Sequence, residues 1–354
     1  MRATTPTGSA AGSLSRADRL AESQRKIRPP FRLDETMRFY SPQENVDALE
    51  HPRVKAWLDF VTKEWTPVPI AGCRRRLGLL VPCCKYKPYP TSREHRGINA
   101  GLLEAGWRSV GTVPVPEPLT AFLDPDERAD LLDVSPLVRD GVVLDRFVIS
   151  EPLGLVPYEH VYHWRGEQSP SSSYDDPGLF EARGTSVSPD RADSTAWRTS
   201  GGRWKWGVSE TDAYVTMHNT MAEVIAETLA RVGGTYAAVL AWTSPGLTHR
   251  SFLADAAWRA EDGIPVSRPG RGGPRGLVGV LDLQPGAVTI LPTRSQLADG
   301  RGALATRMRR EGRRSGPASV RSVFARGDGH DTPLGLAEMV RHLVAALDER
   351  AEDA

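Results

Sequence analysis

Cysteine is scarce in this chain: three among 354 residues, with Cys73 alone and Cys83 beside Cys84. Two neighbours and a third ten positions away do not build a disulfide framework, so the expected compartment is a reducing cytoplasm. Long apolar runs are missing as well. None approaches the roughly 20 residues of a membrane-spanning helix, and no membrane role is expected. The opening "MRATTPTGSAAGSLSRADRLAESQRKIRPP" lacks the apolar core of a secretory signal. An excess of one charge is missing too. Lys and Arg number 45 against 44 Asp and Glu, a net charge of +1, so no global field demands a polyanion. What is plentiful is apolar content, 40%, enough for a substantial core, with 33 glycines and 28 prolines to make many loops.

Residues 1–32 hold seven basic and two acidic side chains with few aliphatics, which predicts a disordered basic tail. Residues 33–350 read as a single α/β domain. In "QENVDALEHPRVKAWLDFVTKE", Val46, Leu49, Val54, Trp57, Leu58 and Val61 fall at helical spacing on either side of Pro52, which suits the first turn of a second helix. Buried strands are predicted at "RRRLGLLVPCC", "GVVLDRFVISEPLGLVP" and "TYAAVLAWTSPG". "RGLVGVLDLQPGAVTILP" predicts a strand pair turning at Pro285-Gly286. "EHRGINAGLLEAGW" predicts a helix that stops near Gly106. Ser209 and Asp212 form a capping box ahead of a helix carrying Met217, Met221, Val224, Leu229 and Val232. "LGLAEMVRHLVAALDER" is an amphipathic terminal helix. Residues 166–205, crowded with polar and turn residues, predict an insertion or mobile loop. Residues 301–326 hold eight arginines and one acid, a surface basic patch. Strands alternating with helices predict a three-layer α/β sandwich with a mostly parallel sheet.

In such a sheet, ligands sit outside the carboxyl ends of the strands. Three strands end at Pro82-Cys83-Cys84, Ser150-Glu151-Pro152 and Thr243-Ser244-Pro245, so a parallel sheet brings these turns to one rim. Cys83 then faces a site. Lys85, Lys87, Arg93 and His95 follow it closely, and positive charge favours thiolate, a nucleophile for electrophilic carbon. Cys73 and Cys84 read as small buried hydrophobes. Zinc is disfavoured because only His95 joins the cysteine pair. The absence of glycine from 81–96 argues against a phosphate loop. Asp145, inside the second strand, reads as a buried structural carboxylate.

Residues 82–95 fit the pattern P-C-x3-K-P-Y-x2-S-x2-H at every fixed position: Pro82, Cys83, Lys87, Pro88, Tyr89, Ser92 and His95. This resembles the signature of the archaeosine synthase family. "HPRVKAWLDFVTKEWTPV", "FVISEPLGLVPYE", Tyr174-Asp175 and "TYAAVLAW" extend the resemblance over residues 50–250. The resemblance implies a uracil-DNA-glycosylase-like core and a tRNA-modification activity. That activity is amidine formation: an amine, lysine in known members, adds across the nitrile of 7-cyano-7-deazaguanine (preQ0). For this chain the resemblance implies Cys83 as nucleophile and Lys87 or His95 as proton source for the nitrile nitrogen. Ser92 would bond the base or that nitrogen, and Tyr89 would stack on the heterocycle or pack in its own turn. Pro82, Ser150, Glu151 and Asp175 would be further substrate contacts. No metal and no cofactor enter this reading. The acceptor stays open among tRNA, DNA, nucleoside and free base. The alternative is a non-catalytic or glycosidic nucleobase-binding module on the same fold. A serine at position 83 separates the two, since a binder tolerates it and the enzyme does not.

Overall fold

Along "RRRLGLLVP" successive side chains meet opposite apolar surroundings, and the run folds as strand β1 (Arg75–Pro82). In the computed structural model, which describes residues 15–176, 186–330 and 332–352, Leu77, Leu79 and Val81 enter one core and Leu80 another. Six further strands complete the sheet: β2 (Arg108–Ser109), β3 (Leu137–Arg139), β4 (Val142–Ser150), β5 (Gly154–Pro157), β6 (Ala238–Trp242) and β7 (Thr289–Leu291). The order is β7-β6-β1-β4-β3-β2, with β5 also on β4. Strands β7, β6, β1 and β4 are parallel, while β5, β3 and β2 join antiparallel. Leu79 lies opposite Leu240 on one side and Arg146 on the other. All nine residues of β4 are buried, as a strand covered on both faces requires.

The helices that bear on the site are, in chain order, α1 (Arg16–Lys26), α2 (Pro42–Asp47), α3 (Pro52–Asp59), α4 (Arg93–Glu104), α5 (Val208–Val232), α6 (Thr248–Leu253), α7 (Arg294–Arg310), α8 (Pro317–Ala325) and α9 (Ala337–Glu352). On one face of the sheet Leu102 of α4, Leu304 of α7 and Val340, Leu343 and Leu347 of α9 share a core with Leu79, Leu144 and Leu240. On the other, Met217, Met221, Ile225 and Leu229 of α5 pack with Leu80, Phe147 and Ala241. The expected α/β architecture, a mostly parallel sheet between helices, is therefore present. Helix α4 sits close to its neighbours because two of its residues lack a side chain. A Cβ on Gly97 would strike the Gly335 carbonyl, and one on Gly101 the Val340 side chain.

Several local expectations change. The predicted disorder of the tail does not extend over residues 15–32. Ser15 and Asp18 cap α1, Ser23 is buried, and Ile27 bridges to Lys87. Residues 1–14 lie outside the described residues. Of the predicted strand pair at 275–292, only β7 forms as expected. Val280–Leu283 makes a helical turn instead, with the Asp282 carboxylate accepting from the Gly279 N–H. The cap of α5 uses Gly207 and Glu210 rather than Ser209 and Asp212. Glu210 accepts from the Gly207 N–H, Thr195 and Gln43, while Asp212 is taken by Arg275. The stretch 166–205 is built rather than loose where it is described. Tyr174 and Asp175 are buried, and Trp197–Arg198 pairs with Trp204–Lys205 as a hairpin. Residues 177–185 of it lie outside the described residues. Within the arginine patch, Arg307 and Arg313 are bound by Glu338, Glu311 and Asp328, so part of its charge is neutralised in place.

Candidate functional site

From β1 the chain crosses to β4 on one side, and from β6 it crosses to β7 on the other. The loops leaving these two adjacent strands diverge. A crevice opens outside their carboxyl ends, where open α/β sheets take ligands. The cavity there measures about 760 Å³ and is lined by Cys83, Lys87, Glu151, Asp176, Ser244 and His249, with Lys26, Lys85 and Arg301 among the other lining residues. All three strand-end turns contribute to it, as the parallel sheet predicts. A larger cleft of about 900 Å³ lies between α1 and residues 35–51 and 188–191. Arg191 with Asp47 and Arg38 with Glu35 form ion pairs within it, and it holds no cysteine. The smaller cavity is therefore the candidate site.

Its centre is Cys83, whose Sγ lies 3.2 Å from Nε2 of His249. The short helix α6 aims this ring by burying Arg250, Ser251, Phe252 and Leu253. Arg250 binds Asp262 at 2.5 Å and the carbonyls of Thr243 and Pro292, each at 3.1 Å. Ser251 meets His218 Nε2 at 2.8 Å. Burial, and then the neighbouring Lys87 cation, push the His249 imidazole down to about 4. Burial pushes the Cys83 thiol well above its ordinary range. Lys87 opposes this without prevailing, and Asp176 and Glu151 add to the rise. The resting pair is therefore neutral thiol and neutral imidazole, not the thiolate expected from the basic sequence. His249 Nδ1 is buried without a hydrogen-bond partner.

Lys87 is 1% exposed, with Nζ 4.5 Å from the Tyr174 ring centre. Burial lowers its pKa, but Asp176 and then Asp175 raise it, and the net shift is upward, so the ammonium persists. That excludes the role of a deprotonated base. Its backbone is clamped by α1: the Lys87 N–H donates to Lys26 O at 3.0 Å, and Lys87 O accepts from the Arg28 N–H at 2.7 Å. Glu151 is 5% exposed, and its Oε1 is buried without a partner. Burial, then Asp176, hold this carboxyl well above the usual carboxylate range and so favour its protonated form.

The remaining motif residues stand behind the cavity wall. His95 is not a proton source in the site. Its Nε2–H donates to Pro82 O at 3.0 Å, its Nδ1 accepts from Tyr158 at 3.0 Å, and burial pushes it down to about 4. Its ring lies between Tyr89 and Tyr158, with centroids 5.8 and 5.9 Å away. Tyr89 therefore stacks on His95 rather than on a ligand, and its hydroxyl joins Ser150 at 2.9 Å and Tyr174 at 3.2 Å. Ser92 caps α4 by accepting from the His95 N–H. Cys84 donates to Tyr86 O at 3.1 Å and burial pushes it up to about 11, but it is only partly buried and lines the cavity beside Cys83 rather than being the enclosed thiol expected. Asp175 is not among the cavity's lining residues and binds Lys26 and Ser23, each at 2.7 Å. It is the next residue, Asp176, that lines the cavity. Asp145 is the structural carboxylate expected, bound by Arg76 and by Tyr236 at 2.8 Å.

The structure thus brings Cys83, Lys87 and Glu151 together and adds His249 and Asp176, which the motif does not contain. A signal for His249 existed. "TSPGLTHR" puts it in the first helical residues after the third strand, on the same edge as Cys83. Among the described residues no cluster of three His, Cys, Asp or Glu is arranged to hold a metal ion, and no helix is long and apolar enough to cross a membrane. No family model matches the chain, and neither a curated protein nor a solved structure matches it.

Proposed function

We propose that this chain is an archaeosine-synthase-like, amidine-forming transferase that adds an amine across the nitrile of a 7-cyano-7-deazaguanine base, on a core of the uracil-DNA-glycosylase-like kind. The observation that carries this reading is the Cys83–His249 pair inside a cavity at the switch point of the sheet. A nitrile carbon accepts a sulfur nucleophile but needs its nitrogen protonated as the bond forms. Because thiol and imidazole are both neutral at rest, the first step is general-base addition. The thiol proton moves to His249 Nε2 as Sγ bonds to carbon, and the imidazolium returns that proton to the former nitrile nitrogen. The product is a thioimidate on Cys83. An amine then adds to the same carbon, the C–S bond breaks, and the amine proton passes through His249 back to sulfur. Nitrile and amine together account for every atom of the amidine.

The other residues stabilise charge as it develops. The Lys87 ammonium, itself 1% exposed, faces the sulfur and the anionic adduct, where a fixed, largely desolvated charge acts strongly. The protonated Glu151 carboxyl, its Oε1 unpartnered, is a hydrogen-bond donor for the nitrogen or for a carbonyl of the base. Tyr89, Ser92, Ser150 and His95 hold the loop that presents Cys83.

Intact-mass analysis after soaking with 7-cyano-7-deazaguanine tests the reading. The expected result is an adduct of one base, retained in Cys84→Ser and absent from Cys83→Ser. Turnover in Cys83→Ser should fall by several orders of magnitude. Turnover above about a tenth of the original, a barrier change of only ~1.4 kcal/mol, would leave the cavity a base cradle without nucleophilic catalysis.

A further inference from the structure

Residues 196–207, "AWRTSGGRWKWG", hold three tryptophans and three cations with no carboxylate and no aliphatic larger than alanine. In the hairpin they form, Trp197 stands opposite Lys205 and Arg198 opposite Trp204. Each face therefore carries one indole and one cation. Lys205 Nζ lies 5.7 Å from the Trp197 ring centre and Arg198 5.3 Å from that of Trp204. The base of the hairpin is fixed. Trp206 is buried and donates to Ser186 O at 2.9 Å, and Glu210 accepts from the Thr195 N–H at 3.0 Å. The tip is open: Trp197 is 52% exposed. The ion pairs of the surrounding chain, Arg191 with Asp193 and Arg275 with Asp212, leave Arg198, Arg203 and Lys205 without a carboxylate partner among the described residues. A second acid-free hairpin, 267–276, reaches α5 through Arg271, which donates to Ser209 Oγ at 2.7 Å.

Both hairpins flank the N-terminus of α5, and α5 places them on the cavity's edge of the sheet. The helix leads into β6 and runs antiparallel to it. At His218 it bonds Ser251 of α6, the helix that carries His249. The ten residues before His218 extend about 15 Å further past that edge.

We propose that the Trp197 hairpin, with Arg271 beside it, docks an unpaired polynucleotide strand, stacking a base on Trp197 and laying phosphates along Arg198, Arg203, Lys205 and Arg271. An exposed indole among uncompensated cations is the combination that grips single strands. The absence of aliphatic side chains fits neither membrane insertion nor a protein-docking core. The purpose assigned to this surface, feeding a base to the cavity, rests on the function proposed above, but its test does not.

The test is fluorescence anisotropy of an unmodified, mixed-sequence single-stranded oligonucleotide with the full chain across a salt series. Trp197→Ala should weaken binding about tenfold, the loss of one stacked base. Arg198→Ala with Lys205→Ala should shallow the log-log salt slope by about 0.7 for each phosphate that is no longer neutralised. Cys83→Ser should bind as the parent does. Equal binding by Trp197→Ala at unchanged melting temperature would overturn the proposal. So would equal competition by dextran sulfate, or equal affinity for the corresponding duplex. Loss of the Cys83 adduct with strand binding intact refutes the catalytic reading alone. Loss of strand binding with the adduct intact refutes this one alone.

Discussion

His249 meets Cys83 with a ring that burial and Lys87 hold at about 4, far below the ordinary imidazole near 6.5. A base must be unprotonated to take the thiol proton, so kcat/KM should stay level as the pH falls through 6 and drop only near 4. The alkaline limit has another source. Glu151 is raised by burial and by Asp176, and a donor role ends when it ionises, so activity should also fall as pH rises through that elevated value. A pH–rate profile checks both limbs, and an acid limb centred near 6.5 would remove His249 as the base. His249→Ala should lower kcat by about 10²–10⁴, the usual worth of a positioned base, while Cys83 still forms its adduct slowly. At this scale the motif was only half legible. Cys83 and Lys87 reach the cavity because they follow β1 directly. His95 and Tyr89 have the same chemistry on paper, but the turn at 88–92 and the first turn of α4 direct them into the wall, where each finds partners. Residue type and spacing do not encode that difference, because it depends on Tyr158, Ser150 and Tyr174 arriving from elsewhere in the chain.

Among the elements, α4 couples the cavity loop to the rest of the fold, and its glycines show how tightly. In an exposed helix Gly→Ala gains about 1 kcal/mol from propensity. At Gly97 the new Cβ would fall on the Gly335 carbonyl, a backbone atom that does not swing aside. Overpacking costs typically about 1–3 kcal/mol, so the clash outweighs the propensity gain and Gly97→Ala should lower the melting temperature by a few degrees. Gly302 in α7 has nothing within 4 Å of a Cβ, so Gly302→Ala should raise the melting temperature instead. Calorimetry of the two variants compares them directly, and a rise in both would show that α4 is free to shift. Periodicity located β1, β4, β6, α5 and α9 because each buries a continuous apolar face. It misplaced α1, whose composition reads as solvated. That helix is held by a few specific contacts, Ser23 and Lys26 on Asp175 and Ile27 beside Lys87, rather than by an apolar stripe.

At the scale of the whole molecule the shared rim was legible, because three strands with like endings converge as soon as the sheet is parallel. The burial of opposed titratable groups was not, since it follows from packing. His95, His160 and His249 are held at about 4 and His218 at about 3, in each case chiefly by burial. Unfolded imidazoles take a proton near 6.5, so these four contribute stability that is complete above 6.5 and is lost as pH falls toward 4. Burial also raises Glu151 and Asp145, and it pushes Glu159 up to about 7. The contribution of these three runs the other way, complete below about 4.3 and lost as pH rises. Between about 4.5 and 6.5 the raised carboxyls, Glu159 among them, work against the four imidazoles and offset part of their gain. Below that window the carboxyls no longer compensate. Asp193 beside Arg191 and Asp328 beside Arg313, both held below the usual range, then lose their ionised forms as well. Melting temperature should therefore show a steep acid arm that eases above about pH 4.5 and a shallow alkaline decline. Glu159→Gln isolates one member of the set. The amide keeps the acceptor for Trp65 Nε1, at 3.0 Å in the parent, but has nothing to ionise. It should melt with the parent near pH 4.5, exceed it increasingly up to pH 7, and hold a constant margin beyond. A margin that fails to grow across that interval would mean that Glu159 ionises in the folded chain without penalty, and that the alkaline decline has another origin.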